Sequence, residues 1–131
     1  MTLNKTKTLP ELRASAILTG SEVFYELRGY EEMIQFSNQL SLGIDFTVGS
    51  LTNCLIKVYT RMDKDAEWTT LPSLSITAGV TTVSDLVITL VGSAKFNFET
   101  PINTKHIRIG VKGTGTVTSS LLALNASLGN K

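Results

Sequence analysis

A chain of 131 residues, 42% hydrophobic and 18% charged, has the size and composition of one globular domain with a real core, which excludes global disorder. A formal net charge of +1, scattered singly or in short mixed runs, leaves no bulk field for nucleic acid or an anionic membrane. With Cys54 the one cysteine and His106 the one histidine, an intrachain disulfide, a thiolate metal site and a His-rich metal site are excluded.

Residues 1–12, MTLNKTKTLPEL, are polar and predict an extended N-terminal arm ahead of a β-sandwich domain over residues 13–131. No apolar stretch and no small-residue cleavage site follow the first lysines, so no signal peptide is expected. Strand-like runs at 13–19 and 23–27 flank Gly20-Ser21 and predict a hairpin or a bent strand. The hint of helix, Glu31-Glu32-Met33-Ile34, is too short to stand alone in water. Residues 40–48 then alternate cleanly. Leu42, Ile44, Phe46 and Val48 point one way, and Ser41, Gly43, Asp45 and Thr47 the other, as a half-buried strand requires. In residues 53–62, Cys54, Ile56 and Val58 share one face while Lys57, Tyr59 and Arg61 share the opposite one. The turn Asp63-Lys64-Asp65 leads to Trp68, which is expected to fold back on the sheet.

Residues 71–84 are rich in Thr and Ser around Leu74, Ile76, Val80 and Val83, and predict short strands and turns. Runs at 86–91, 95–99 and 105–112 follow; in the last, Ile107, Ile109 and Val111 face inward, with His106, Arg108 and Lys112 outward. A turn at Gly113-Thr114-Gly115 precedes a closing strand over 116–127, with Leu122 and Leu124 in the core. The runs sum to about eight to ten strands, the number needed for an all-β, antiparallel, two-sheet β-sandwich of jelly-roll type. The longest uncharged stretch, residues 113–130, is filled with Thr, Ser, Gly and Asn, so no membrane span is expected.

The search for chemistry returns little. His106 lies among cations with no partner to orient its ring, and reads as a solvated strand residue rather than a general base. Cys54 reads as a small core hydrophobe. Glu31-Glu32, Asp63/Asp65/Glu67 and Asp85/Glu99 are the acidic sets that could act as paired carboxylates or bind calcium. The 63–67 run lacks the glycine and downstream Glu of a calcium loop and reads as a solvated hairpin tip. The glycines of 110–115 precede no helix, so they are expected to form turns rather than a phosphate cradle. No catalytic, metal or cofactor site is predicted, and the protein is not expected to be an enzyme. Tyr25, Tyr30, Tyr59 and Trp68 support one alternative, a flat platform for sugar rings in a carbohydrate-binding module.

The stretches LRGYEEMIQFSNQLSLGIDFTVGSLTNCLIKVYTRMD, EWTTLP and TKHIRIGVKGTGTVTSSLLALNASLG together resemble small structural proteins of tailed-bacteriophage virions, over residues 27–129. The shared pattern is a Gly-Tyr entry, a long Ile-Lys-Val-Tyr-Thr strand, a Trp-bearing hairpin and a Lys-x-Ile-Arg-Ile-x-Val strand. The resemblance implies a capsid decoration or cement protein, commonly a homotrimer, that binds the major capsid protein lattice and stabilises the head. A minor neck or tail component is equally implied. The expected location is the capsid surface of the virion after synthesis in the host cytoplasm, with no nucleic-acid or membrane partner. The candidate partner-binding residues are Lys5, Lys7, Leu9 and Pro10 on the arm, and Lys57, Tyr59, Arg61, Trp68 and Arg108 on the exposed face.

Overall fold

The computed structural model describes residues 6–130, the side chains of 6–8 and 73–75 excepted. In chain order they form β1 (Thr6–Thr8), β2 (Arg13–Ala16), β3 (Val23–Glu26), α1 (Glu31–Gln35), β4 (Gln39–Thr47) and β5 (Leu51–Arg61). There follow β6 (Thr69–Thr70), β7 (Pro72–Thr77), β8 (Val80–Asp85), β9 (Val87–Leu90), β10 (Ala94–Pro101), β11 (His106–Gly115) and β12 (Leu121–Gly129).

Two antiparallel sheets face each other. In the first, β1 and β2 lie end to end along one edge of β12, which pairs with β4 and then β10. In the second, β3 pairs with β11, β11 with β5, and β6 and β9 share the far edge of β5. The strand orders β2–β12–β4–β10 and β3–β11–β5–β9 make this a jelly-roll β-sandwich.

The two-residue period explains the layers. Leu40, Leu42, Ile44 and Phe46 of β4 and Leu122, Leu124, Ala126 and Leu128 of β12 meet Cys54, Ile56, Val58, Ile107, Ile109 and Val111, none more than 2% exposed. Each large side chain so buried stabilises the fold by roughly 1.5–3 kcal/mol. The helix α1 has no side-chain cap and is held instead by burial of Ile34, so tertiary packing rather than propensity makes it.

Three details differ from the sequence reading. β11 runs through Gly110 and Gly113 without turning, because both glycines admit neighbours where a side chain would stand. The closing strand starts at Leu121 rather than Thr116, since the Ser120 amide and hydroxyl both donate to the Val117 carbonyl in a turn. Residues 6–12 lie along their own sheet: β1 pairs with residues 127–129, and the Leu9 and Leu12 amides donate to the Ala126 and Leu124 carbonyls. The β7–β8 hairpin forms a separate two-stranded sheet between β6 and β9, turned by Ala78 and Gly79 at positive φ of 52° and 78°. No helix among the described residues is long and apolar enough to cross a membrane.

Candidate functional site

Alternation along β5 and β11 places Tyr59, Arg61 and Arg108 on the outer face of the second sheet, and the antiparallel register sets Arg108 between Tyr59 of β5 and Glu26 of β3. The short connection after β5 returns Trp68 over the same face. There Arg61 stands 4.2 Å and Arg108 4.9 Å from the Trp68 ring centroid. Arg108 also stacks on Phe24 at 3.8 Å and lies 5.0 Å from Tyr59. Phe24 and Tyr59 meet edge to face at 5.6 Å. The result is an alternating stack of cation and ring, Arg61–Trp68–Arg108–Phe24, with Tyr59 braced against it. Each desolvated contact of this type contributes on the order of 1 kcal/mol.

Two carboxylates border the stack. Tyr59 donates its hydroxyl hydrogen bond to Glu22 at 2.6 Å. Burial, and then that bond, push the Tyr59 hydroxyl up to about 12. Glu26 lies 4.0 Å from Arg61 and 3.2 Å from Arg28. Gly110 clears the space: a Cβ there would collide with the Glu22 carboxylate and stand 2.9 Å from the Tyr59 ring. The Nε atoms of Arg61 and Arg108 are buried without a hydrogen-bond partner among the described residues. Stacking therefore offsets a desolvation cost in both, and leaves planar guanidinium groups held on a sheet rather than swinging in solvent.

Of the predicted face, Tyr59, Arg61, Trp68 and Arg108 come together, and Lys57 lies on the next row, opposite Gly110 and Val87. The predicted arm fares differently. Leu9 is 5% exposed and packs into this domain's own core. The physical reason is that the open backbone edge of β12 accepts the segment and Leu9 fills the core beside it. Pro10 is exposed, the Lys7 backbone pairs with Leu128, and Lys5 and the Lys7 side chain lie outside the described residues. His106 is 9% exposed, not solvated as its neighbours suggested: it stands opposite Arg61 on a face that large side chains cover. The four-ring sugar platform does not form, since Tyr25 accepts from buried Arg13 and Tyr30 packs on the core at the start of α1.

No protein-family model and no curated protein matches the chain. Among solved structures, a chain in the structure of infectious bursal disease virus Gx strain is similar at a TM-score of 0.40 and 12% identity, over 97% of this chain and 32% of that one. The present chain thus spans about a third of that chain's length.

The acidic sets stay apart. Asp85 accepts from Thr70 beside the second sheet, Gln39 donates to Glu99 on the first, and Asp63 caps its own turn through the Asp65 amide. No group of three or more His, Cys, Asp or Glu able to hold a metal occurs among the described residues. Cys54 is fully buried, which pushes its thiol up to about 11 and keeps it protonated and inert at neutral pH. On the outer face of the first sheet, Asn97 and Asn125 flank Gly43 in one row, which lies in an open groove of about 350 Å³ of mixed polar and apolar lining.

Proposed function

We propose that this is a non-catalytic structural protein of a virion, in its finer form a decoration or cement protein that sits as a homotrimer on the capsid lattice of a tailed phage. The observation that carries the reading is the arginine–aromatic stack on the outer face of the jelly roll. Arg, Trp and Tyr are the residues that dominate protein–protein hot spots, and here they are fixed by one another before any partner arrives. The major capsid protein is the partner for which such a face is suited, and the sequence likeness to small phage virion proteins points the same way. The carbohydrate alternative is weaker, because guanidinium groups stand against the rings on which a sugar would stack.

Co-sedimentation of the purified protein with undecorated heads of the virus that encodes it tests the proposal. Binding should saturate at lattice stoichiometry and raise the melting temperature of the heads. Trp68→Ala or Arg108→Ala should weaken it by about tenfold or more. Heads that bind nothing, together with a glycan hit abolished by Tyr59→Ala, would establish the carbohydrate reading instead.

A further inference from the structure

Within the stack the two arginines are not equivalent. Arg61 reaches Glu26 at 4.0 Å, and Glu26 also holds Arg28 at 3.2 Å. Glu22 accepts the Tyr59 hydroxyl at 2.6 Å. Both nearby carboxylates are thus engaged. Arg108 stands opposite Glu26 in the register of β3 and β11, yet among the described residues it makes no hydrogen bond and no ion pair. Rings alone hold it: Phe24 at 3.8 Å, Trp68 at 4.9 Å and Tyr59 at 5.0 Å. Its Nε is buried with no acceptor, while the two Nη groups, also unbonded, keep contact with solvent. Stacking offsets part of the desolvation cost of this guanidinium, but no acceptor in the domain replaces the water that its N–H groups have lost.

That unmet chemistry selects what completes the stack. A pair of open Nη groups in a fixed plane matches the two oxygens of a carboxylate, to which arginine donates parallel hydrogen bonds. Such a pair contributes little in water and more where neighbouring rings exclude solvent. A nucleic acid fits less well on two counts. The ring faces that a base would use already carry guanidinium groups, Arg61 on Trp68 and Arg108 on Phe24. Glu22 and Glu26 also border the arginines and repel a row of phosphates, whereas one singly charged carboxylate meets that repulsion least. We propose that Arg108 is a carboxylate receptor, its Nη groups donating a bidentate pair of hydrogen bonds to an Asp or Glu side chain of a protein partner. The inference rests on the reading of this face as the partner-binding surface, and narrows the partner to one that presents an acidic segment.

Trp68 is the one tryptophan of the chain and lies against Arg108, so its fluorescence reports on the site directly. The experiment titrates the full chain with a hexaglutamate peptide blocked at both ends, with blocked hexaglutamine and sodium tripolyphosphate as comparators. Hexaglutamate should shift the Trp68 emission saturably, and both comparators should bind about tenfold or more weakly. Arg108→Gln should weaken hexaglutamate by about tenfold or more. Arg108→Lys, which keeps the charge but loses the planar fork, should fall between and melt with the wild type. Lys57→Gln removes the same charge one row away and should leave the affinity within about twofold. A silent hexaglutamate titration, tripolyphosphate binding as tightly, either Arg108 variant binding like the wild type, or an equal loss in Lys57→Gln would each overturn the proposal. The two readings fail separately. Heads that bind nothing while hexaglutamate binds remove the capsid partner alone, and heads that bind while hexaglutamate is silent remove the carboxylate receptor alone.

Discussion

Arg13 shows how much one buried cation holds. Its Nε donates to the Tyr25 hydroxyl at 2.9 Å, Nη1 to the carbonyls of Ala16 and Leu122, and Nη2 to the Ile17 carbonyl at 2.9 Å. With 8% of the residue exposed, these bonds tie the β2–β3 connection to β12 and replace the water that the guanidinium has lost. Arg13→Met keeps the length of the stem but strands those carbonyls, so it should cost about 3 kcal/mol in urea unfolding. A change under about 0.5 kcal/mol would show that solvent reaches the carbonyls after all. Nothing in the local sequence marks Arg13 as buried, since an arginine at the start of a strand-like run looks like a rim residue. The stack on the second sheet was more legible. Two-residue alternation put Tyr59 with Arg61, and Arg108 on a like face, but Phe24 escaped because Val23-Phe24-Tyr25 is apolar on both faces. That β3 lies beside β11 is a long-range pairing, which no local pattern encodes.

At the scale of elements, β4, β5 and the inner face of β11 follow from sequence because each alternates over many residues between apolar and polar. The segments that resisted reading are those decided by neighbours. Gly110 and Gly113 look like turn residues yet lie mid-strand, where Gly113 leaves room for Leu18, Leu51 and Val117. β1 is the same lesson at the N-terminus: a polar segment becomes a strand because β12 offers it an edge. This makes the segment part of the fold. Leu9→Ala should lower stability by about 2–3 kcal/mol through the lost burial, and removal of residues 1–12 should lower it further. Thermal unfolding of the two variants checks this. If Leu9→Ala melted with the wild type, while the truncated protein lost only its partner binding, the segment would be an interaction arm and not a structural strand.

For the whole molecule, burial of two weak acids sets a limit at high pH. Cys54 is raised from 9.0 to about 11 by desolvation, which outweighs the lowering effect of the Arg13 charge. Tyr59 is raised from 10.0 to about 12, first by burial and then by its bond to Glu22. In both, folding favours the protonated form. Below pH 9.0 the folded and unfolded chains hold the Cys54 proton alike, and its contribution to stability is fully present. Above that the unfolded chain releases the proton while the native one keeps it, so stability falls as pH rises toward about 11. Tyr59 adds the same sign between pH 10.0 and about 12, and its ionisation also removes the donor to Glu22. The two windows overlap although the residues sit on opposite faces of β5, so the sandwich should lose its core and its outer stack in one alkaline transition. Urea midpoints measured across that range for the wild type, Cys54→Val and Tyr59→Phe separate the contributions. Cys54→Val should flatten the early part of the decline and Tyr59→Phe the later part, each measured against its own neutral-pH midpoint. Three parallel curves would mean that neither group differs between the folded and unfolded chains.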